Sequence, residues 1–66
     1  MKQVDKIPEE GQFVAIYNAN NKIWSDTFFN DGGCILQYSD ETDDFEPLEC
    51  DIVKHLQDHK AIFFTL

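Results

Sequence analysis

Apolar residues in this chain come in short runs separated by polar punctuation, and the spacing within the runs changes once, near the C-terminal end. Ile7-Pro8-Glu9-Glu10-Gly11 has the composition of a turn, with Pro early and Gly last. Phe13 to Tyr17 is an apolar run of strand length, and Asn18-Ala19-Asn20-Asn21 after it is a polar turn, since Asn tolerates left-handed backbone angles. The stretch from Ile23 to Phe29 alternates, which places Trp24 and Phe28 on one face and Ile23 and Phe29 on the other. Asn30-Asp31-Gly32-Gly33 is a hairpin signal, because its Gly residues supply the positive φ of tight turns. Cys34 to Ser39 alternates again, with Cys34, Leu36 and Tyr38 on one face and Ile35 on the other. Asp40 to Asp44 forms a charged loop, and Phe45 to Cys50 a short strand in which Pro47 requires an edge position.

The period then lengthens. Ile52, Val53, Leu56 and position 59 or 60 recur at helical spacing, which predicts a helix over Asp51–Lys60. Asp51 suits its start, and His59 and Lys60 suit its electronegative C-terminal end. A helix of about ten residues is marginal alone, so it must pack on something. Ala61 to Leu66 is a last strand, apolar on both faces, as a central or helix-covered strand would be. The expected fold is α+β: a small antiparallel sheet of four to five strands with one short helix near the C-terminus. A small, partly closed barrel is the alternative.

Length and composition narrow this further. Sixty-six residues make a single domain, 1–66, with no repeat or linker. A chain this short buries only about 60% of the surface its unfolded form exposes. Six Phe, two Tyr and one Trp are too many aromatics for a disordered acidic tail, so a packed core is expected. They also exceed what one face of so small a sheet can bury. Either both faces are covered, or one serves a homodimer or another partner. Met1 to Asp5 lacks the apolar segment of a secretory signal, and no stretch is long enough to span a membrane. A cytoplasmic protein is expected, in the host cell if the chain is phage-encoded. Its cysteines, Cys34 and Cys50, would then be reduced and buried.

Charge changes the picture most. Thirteen acidic residues stand against five lysines, with no Arg and a formal charge of -8. That excludes direct binding to nucleic-acid phosphates and to anionic membranes, both of which need a cationic surface. Between Lys22 and Lys54 there is no basic residue, yet there are nine carboxylates: Asp26, Asp31, Asp40, Glu41, Asp43, Asp44, Glu46, Glu49 and Asp51. No local ion pair can form in that run, so its charge must face water or a cationic partner. Pairs such as Asp44 and Glu46 project from one side of a strand about 6.6–6.8 Å apart. That is of the order of neighbouring phosphates on a nucleic-acid strand, so such a surface can occupy a cleft built for DNA or RNA. Asp40, Glu41, Asp43, Asp44, Glu46 and Glu49 are the candidate partner-binding residues, with Trp24 and Phe45 as apolar anchors.

Other chemistry is thinly represented. His55 and His59 lie four apart on one helical face, and with Cys34 and Cys50 they form a conceivable zinc quartet. The closely spaced cysteine pair of structural zinc sites is absent, and no metal or other cofactor is expected. Cys50 and His55 could be written as nucleophile and base, but no third orienting group or oxyanion loop accompanies them. There is no glycine-rich phosphate loop, and no enzymatic activity is expected.

Ile7-Pro8-Glu9-Glu10-Gly11-Gln12, the apolar strand Val14 to Tyr17, Trp24, and Phe45-Glu46-Pro47-Leu48 together carry a resemblance. Over Ile7 to Leu48 the chain resembles a family of short phage and prophage domains of unknown function. Their pattern is a Leu-Pro-Glu-Glu-Gly-Gln opening, a central Trp and a closing Trp-x-Pro-Leu-Pro. Phe45 stands here where the closing Trp would be, and Glu49 to Leu66 has no counterpart. The resemblance implies a phage origin and a small β-rich fold, and it transfers no catalytic residue. With the charge, it leads to the expectation of a non-enzymatic inhibitor. Such a protein would mimic nucleic acid and bind a basic host protein that handles it, of nuclease, restriction or CRISPR type. The alternatives are an assembly module whose acidity only gives solubility, and a zinc-stabilised mini-domain.

Overall fold

The computed structural model describes residues 1–48 and 51–66. Six strands and one helix follow in the order β1 (Lys2–Val4), β2 (Gly11–Ala19), β3 (Lys22–Asp31), β4 (Cys34–Ser39), β5 (Asp44–Pro47), α1 (Ile52–Asp58) and β6 (Ile62–Thr65). The strands form one sheet in the order β1-β6-β2-β3-β4-β5, and every neighbouring pair is antiparallel. The antiparallel sheet and the short helix near the C-terminus are as expected, but the fold is mostly β, and the α+β expectation is met only roughly. The sheet has six strands rather than four or five, and it is open, with β1 and β5 as edges, not a partly closed barrel. The strand unmarked in the sequence is β1. Lys-Gln-Val carries no alternation, and it is extended because β6 offers it an edge, pairing Gln3 with Phe64.

Tight turns set the registers. Asn20 and Asn21 both have positive φ (55° and 64°), as a two-residue hairpin loop between right-twisted strands requires. The strands consequently run on through Asn18 and Ala19 to Lys22, beyond the expected boundary at Tyr17. Gly32 and Gly33 (φ 59° and 101°) close the next hairpin, with Asp31 opposite Cys34. Asn30 is buried beside it. Its Nδ2 donates to the Pro8 carbonyl at 2.8 Å, and its Oδ1 accepts from the Gly33 amide at 2.8 Å. One side chain thus ties the Pro8 turn to the β3–β4 turn.

Residues opposite one another share a face, so the register divides the sheet cleanly. Phe13, Ala15, Phe28 and Phe63 lie on one side and are buried with Ile52 and Leu56 of the helix. Phe13 stacks on Phe28 with ring centroids 5.4 Å apart and meets the edge of Phe63 at 6.2 Å. Asp51 caps the helix, its Oδ1 accepting from the Lys54 amide at 3.2 Å, and Lys60 (φ 53°) turns the chain into β6. Pro47 sits in edge strand β5, where its missing N–H breaks no ladder. Among the described residues no helix is long and apolar enough to cross a membrane.

Candidate partner-binding site

The carboxylates named from the sequence gather on the β4–β5 hairpin. Ser39 pairs with Asp44 and Tyr38 with Phe45, which leaves residues 40–43 as the turn. Asp43 takes positive φ (53°), a conformation that Asp accepts better than most residues. Two contacts hold the turn: the Tyr38 hydroxyl donates to Asp43 Oδ1, and the Phe45 amide donates to Asp44 Oδ1 at 2.8 Å. The hydrogen bond to the Asp43 carboxylate is the main cause pushing the Tyr38 phenol above its ordinary pKa, aided by partial burial and by the charges of Asp43 and Asp40. Asp40, Glu41, Asp43, Asp44 and Glu46 are all exposed. Glu49 and Cys50 lie outside the described residues.

Alternation along β5 divides the expected cluster. Glu46 lies opposite Gln37, and Gln37 opposite Phe28, so Asp44 and Glu46 share the helix-bearing side of the sheet. Phe45 lies on the other side, where its ring meets Phe29 and Tyr38, each at 5.6 Å. It therefore lies on the opposite face from Asp44 and Glu46, against the Tyr38 ring whose hydroxyl holds Asp43. Trp24 does lie on their side, as the register partner of Tyr17.

Trp24 belongs to a cleft that sequence reasoning missed. Tyr17, Trp24, Asp26, Gln37 and His55 line a depression of about 330 Å³ at the end of the sheet where the β2–β3 and β4–β5 turns lie. Tyr17 Oη donates to Asp26 Oδ2 at 2.8 Å, and Trp24 Nε1 donates to the Ala19 carbonyl at 3.0 Å. The His55 ring stands edge-on to Tyr17 at 5.4 Å, and His59 lies 4.4 Å from His55. Burial, then the hydrogen bond to Asp26 and its charge, push the Tyr17 phenol up to about 12. The signal for this cleft was the match of Tyr17 with Trp24 and of Ala15 with Asp26 across a hairpin. It becomes visible only once the turn is pinned to Asn20 and Asn21.

Chemically, aromatic rings beside a carboxylate make a seat for a cation such as a Lys or Arg side chain. Gln37 lines this cleft and also a second one of about 250 Å³ with Ser39, Glu46 and Leu48. The Tyr17–Trp24–Asp26 cleft and the depression along the acidic edge strand therefore meet at Gln37.

Of the conceivable zinc quartet, Cys50 lies outside the described residues, and Cys34 does not join the two histidines. Cys34 opens β4 at the Gly32–Gly33 end of the sheet, while His55 packs on Tyr17 toward the opposite end. His59 Nδ1 is bonded to the His55 carbonyl at 2.8 Å. Among the described residues no three His, Cys, Asp or Glu side chains come together as a metal site. Cys34 is an exposed free thiol, contrary to the expected burial, because it sits at the mouth of a hairpin on the side away from the helix. Comparison with protein-family models, curated proteins and solved structures finds no match to the chain.

Proposed function

We propose that this protein is a non-enzymatic interaction module. It docks its acidic end on the basic, nucleic-acid-handling surface of a partner and blocks that surface by standing in for a phosphate backbone. The observation that carries the reading is the β4–β5 hairpin, where Asp40, Glu41, Asp43, Asp44 and Glu46 are all exposed on an edge hairpin. Carboxylates held on paired strands present a fixed pattern, which a flexible acidic tail cannot do. The Tyr17–Trp24–Asp26 cleft supplies what charge alone lacks, a place for one partner Lys or Arg to be desolvated and oriented. The family resemblance over Ile7 to Leu48 is in keeping with a phage-encoded inhibitor of a host nuclease, restriction or CRISPR-type protein.

The test is affinity capture from bacterial lysate at low and high salt, with the wild-type chain and a D40K/E41K/E46K variant, which spares the Asp43 and Asp44 contacts of the turn, as baits. Nucleic-acid-handling proteins should be retained at low salt, released at high salt, displaced by added DNA or RNA, and lost with the variant. Capture that is indifferent to salt and to the charge reversals would sink the mimicry reading.

A further inference from the structure

The face of the sheet away from the helix has no helix over it among the described residues, yet between polar positions such as Gln12, Asn18, Ser25 and Thr27 it carries a broad apolar stripe. Val14, Ile16, Phe29, Leu36, Phe45 and Phe64 share it by register. Ile62 on the same face is 46% exposed and Ile23 71%. Its strand positions carry little charge. Of thirteen acidic and five basic residues, only Asp31 holds a strand position on this side, at the sheet's end beside Cys34.

We propose that this face is the seat of a second copy of the chain, which packs sheet against sheet in a homodimer with the helices outermost. Three features select that occupant. The first is area: the sheet lies within a body of 27 × 24 × 21 Å, so the face spans on the order of 600 Å² in projection. The pleat and side-chain relief bring that close to the roughly 800 Å² per partner of a stable interface. The second is charge. A basic partner would find no row of carboxylates here, and an anionic lipid surface would be repelled by a chain of net charge -8. Two such chains also repel each other, and this is the face on which they can meet with that repulsion at its weakest. The third is shape. A twisted sheet is complementary to itself, and two such faces interdigitate about 10 Å apart in aligned sandwiches. The dimer leaves Asp44 and Glu46 on the outer side of β5, so it stands independently of the acidic hairpin's role.

Sedimentation equilibrium of the full chain across a wide concentration range tests this, alongside melting curves at the same concentrations. The expected result is a mass approaching twice 7.7 kDa, with a melting temperature that rises with concentration. Phe29→Lys should weaken association on the order of 30-fold or more, as loss of an interface anchor does. Ile62→Lys, at a more open position, should weaken it in a chain that keeps the wild-type circular dichroism spectrum. A mass of 7.7 kDa at every concentration would overturn the proposal. So would a monomer that binds phosphatidylcholine vesicles through this face.

Discussion

The two faces of this sheet carry similar apolar side chains and have opposite fates. On one, Phe13, Phe28 and Phe63 meet Ile52 and Leu56 of a seven-residue helix and lose nearly all contact with water. On the other, Val14, Phe29, Leu36 and Phe64 are only partly buried. The difference is not one of composition, since both faces come from the same alternating strands. It is one of supply: the described residues hold a single amphipathic helix, and a helix about 10 Å wide covers one side of a small sheet, not two. A chain of this length leaves a hydrophobic face uncovered or shares it with another copy.

Removing part of the covered face should have the largest effect. Leu56→Ala opens a cavity under the helix and should cost about 2–5 kcal/mol, measured by urea denaturation. Truncation on the other face, for example Phe64→Ala, should cost clearly less at low protein concentration and more as concentration rises. Equal, concentration-independent losses would break the comparison. Next is Asp51→Ala, which removes the helix cap and should destabilise by about 1 kcal/mol, read from the same unfolding curves.

Tyr17→Phe should then cost about 0.5–1.5 kcal/mol, the worth of one hydrogen bond. It also tests a pH dependence. Folding raises the Tyr17 phenol from 10.0 to about 12, so the folded state keeps a proton that the unfolded state gives up. The associated stability is fully present below pH 10.0 and is lost as pH rises through about 12. Tyr17→Phe should flatten that decline, and tyrosinate absorbance in a Tyr38→Phe background should titrate late. The smallest effect on stability is expected from D40K/E41K/E46K, within about 0.5 kcal/mol, because these exposed carboxylates stand outside the two contacts that hold the turn. Circular dichroism melts check this, and a large loss of stability would show that the hairpin charges are structural.

Much of this was legible in the chain. The Asp-Gly-Gly and Asn-Asn turns, the face pairing of Trp24 with Phe28, the edge role of Pro47 and the helix start at Asp51 are local matters of backbone angle and period. All appear where the pattern puts them except the Asn turn, which is tighter than expected: Asn18 and Ala19 belong to β2, and Asn20 and Asn21 alone form the loop. β1 was not legible, because three polar-leaning residues become a strand only when another strand offers its edge. Nor was the burial of Asn30, whose partners Pro8 and Gly33 lie on two different turns. The exposure of Cys34 follows from its place at the end of a hairpin, which its apolar character does not report.

The candidate site divides the same way. That the acidic residues face water was determined by sequence alone, since a run with no basic residue cannot neutralise itself. That Phe45 lies on the opposite face from Asp44 and Glu46 while Trp24 shares theirs was decided by register and strand order. A one-residue shift would have exchanged the faces. The cleft of Tyr17, Trp24, Asp26 and His55 draws on two strands and a helix, which meet only because the helix packs across the sheet. Period and charge sign are properties of neighbouring residues and are written along the chain. Which face the helix covers, and so which apolar surface remains open, depends on contacts between distant residues, and only the tertiary structure decides it.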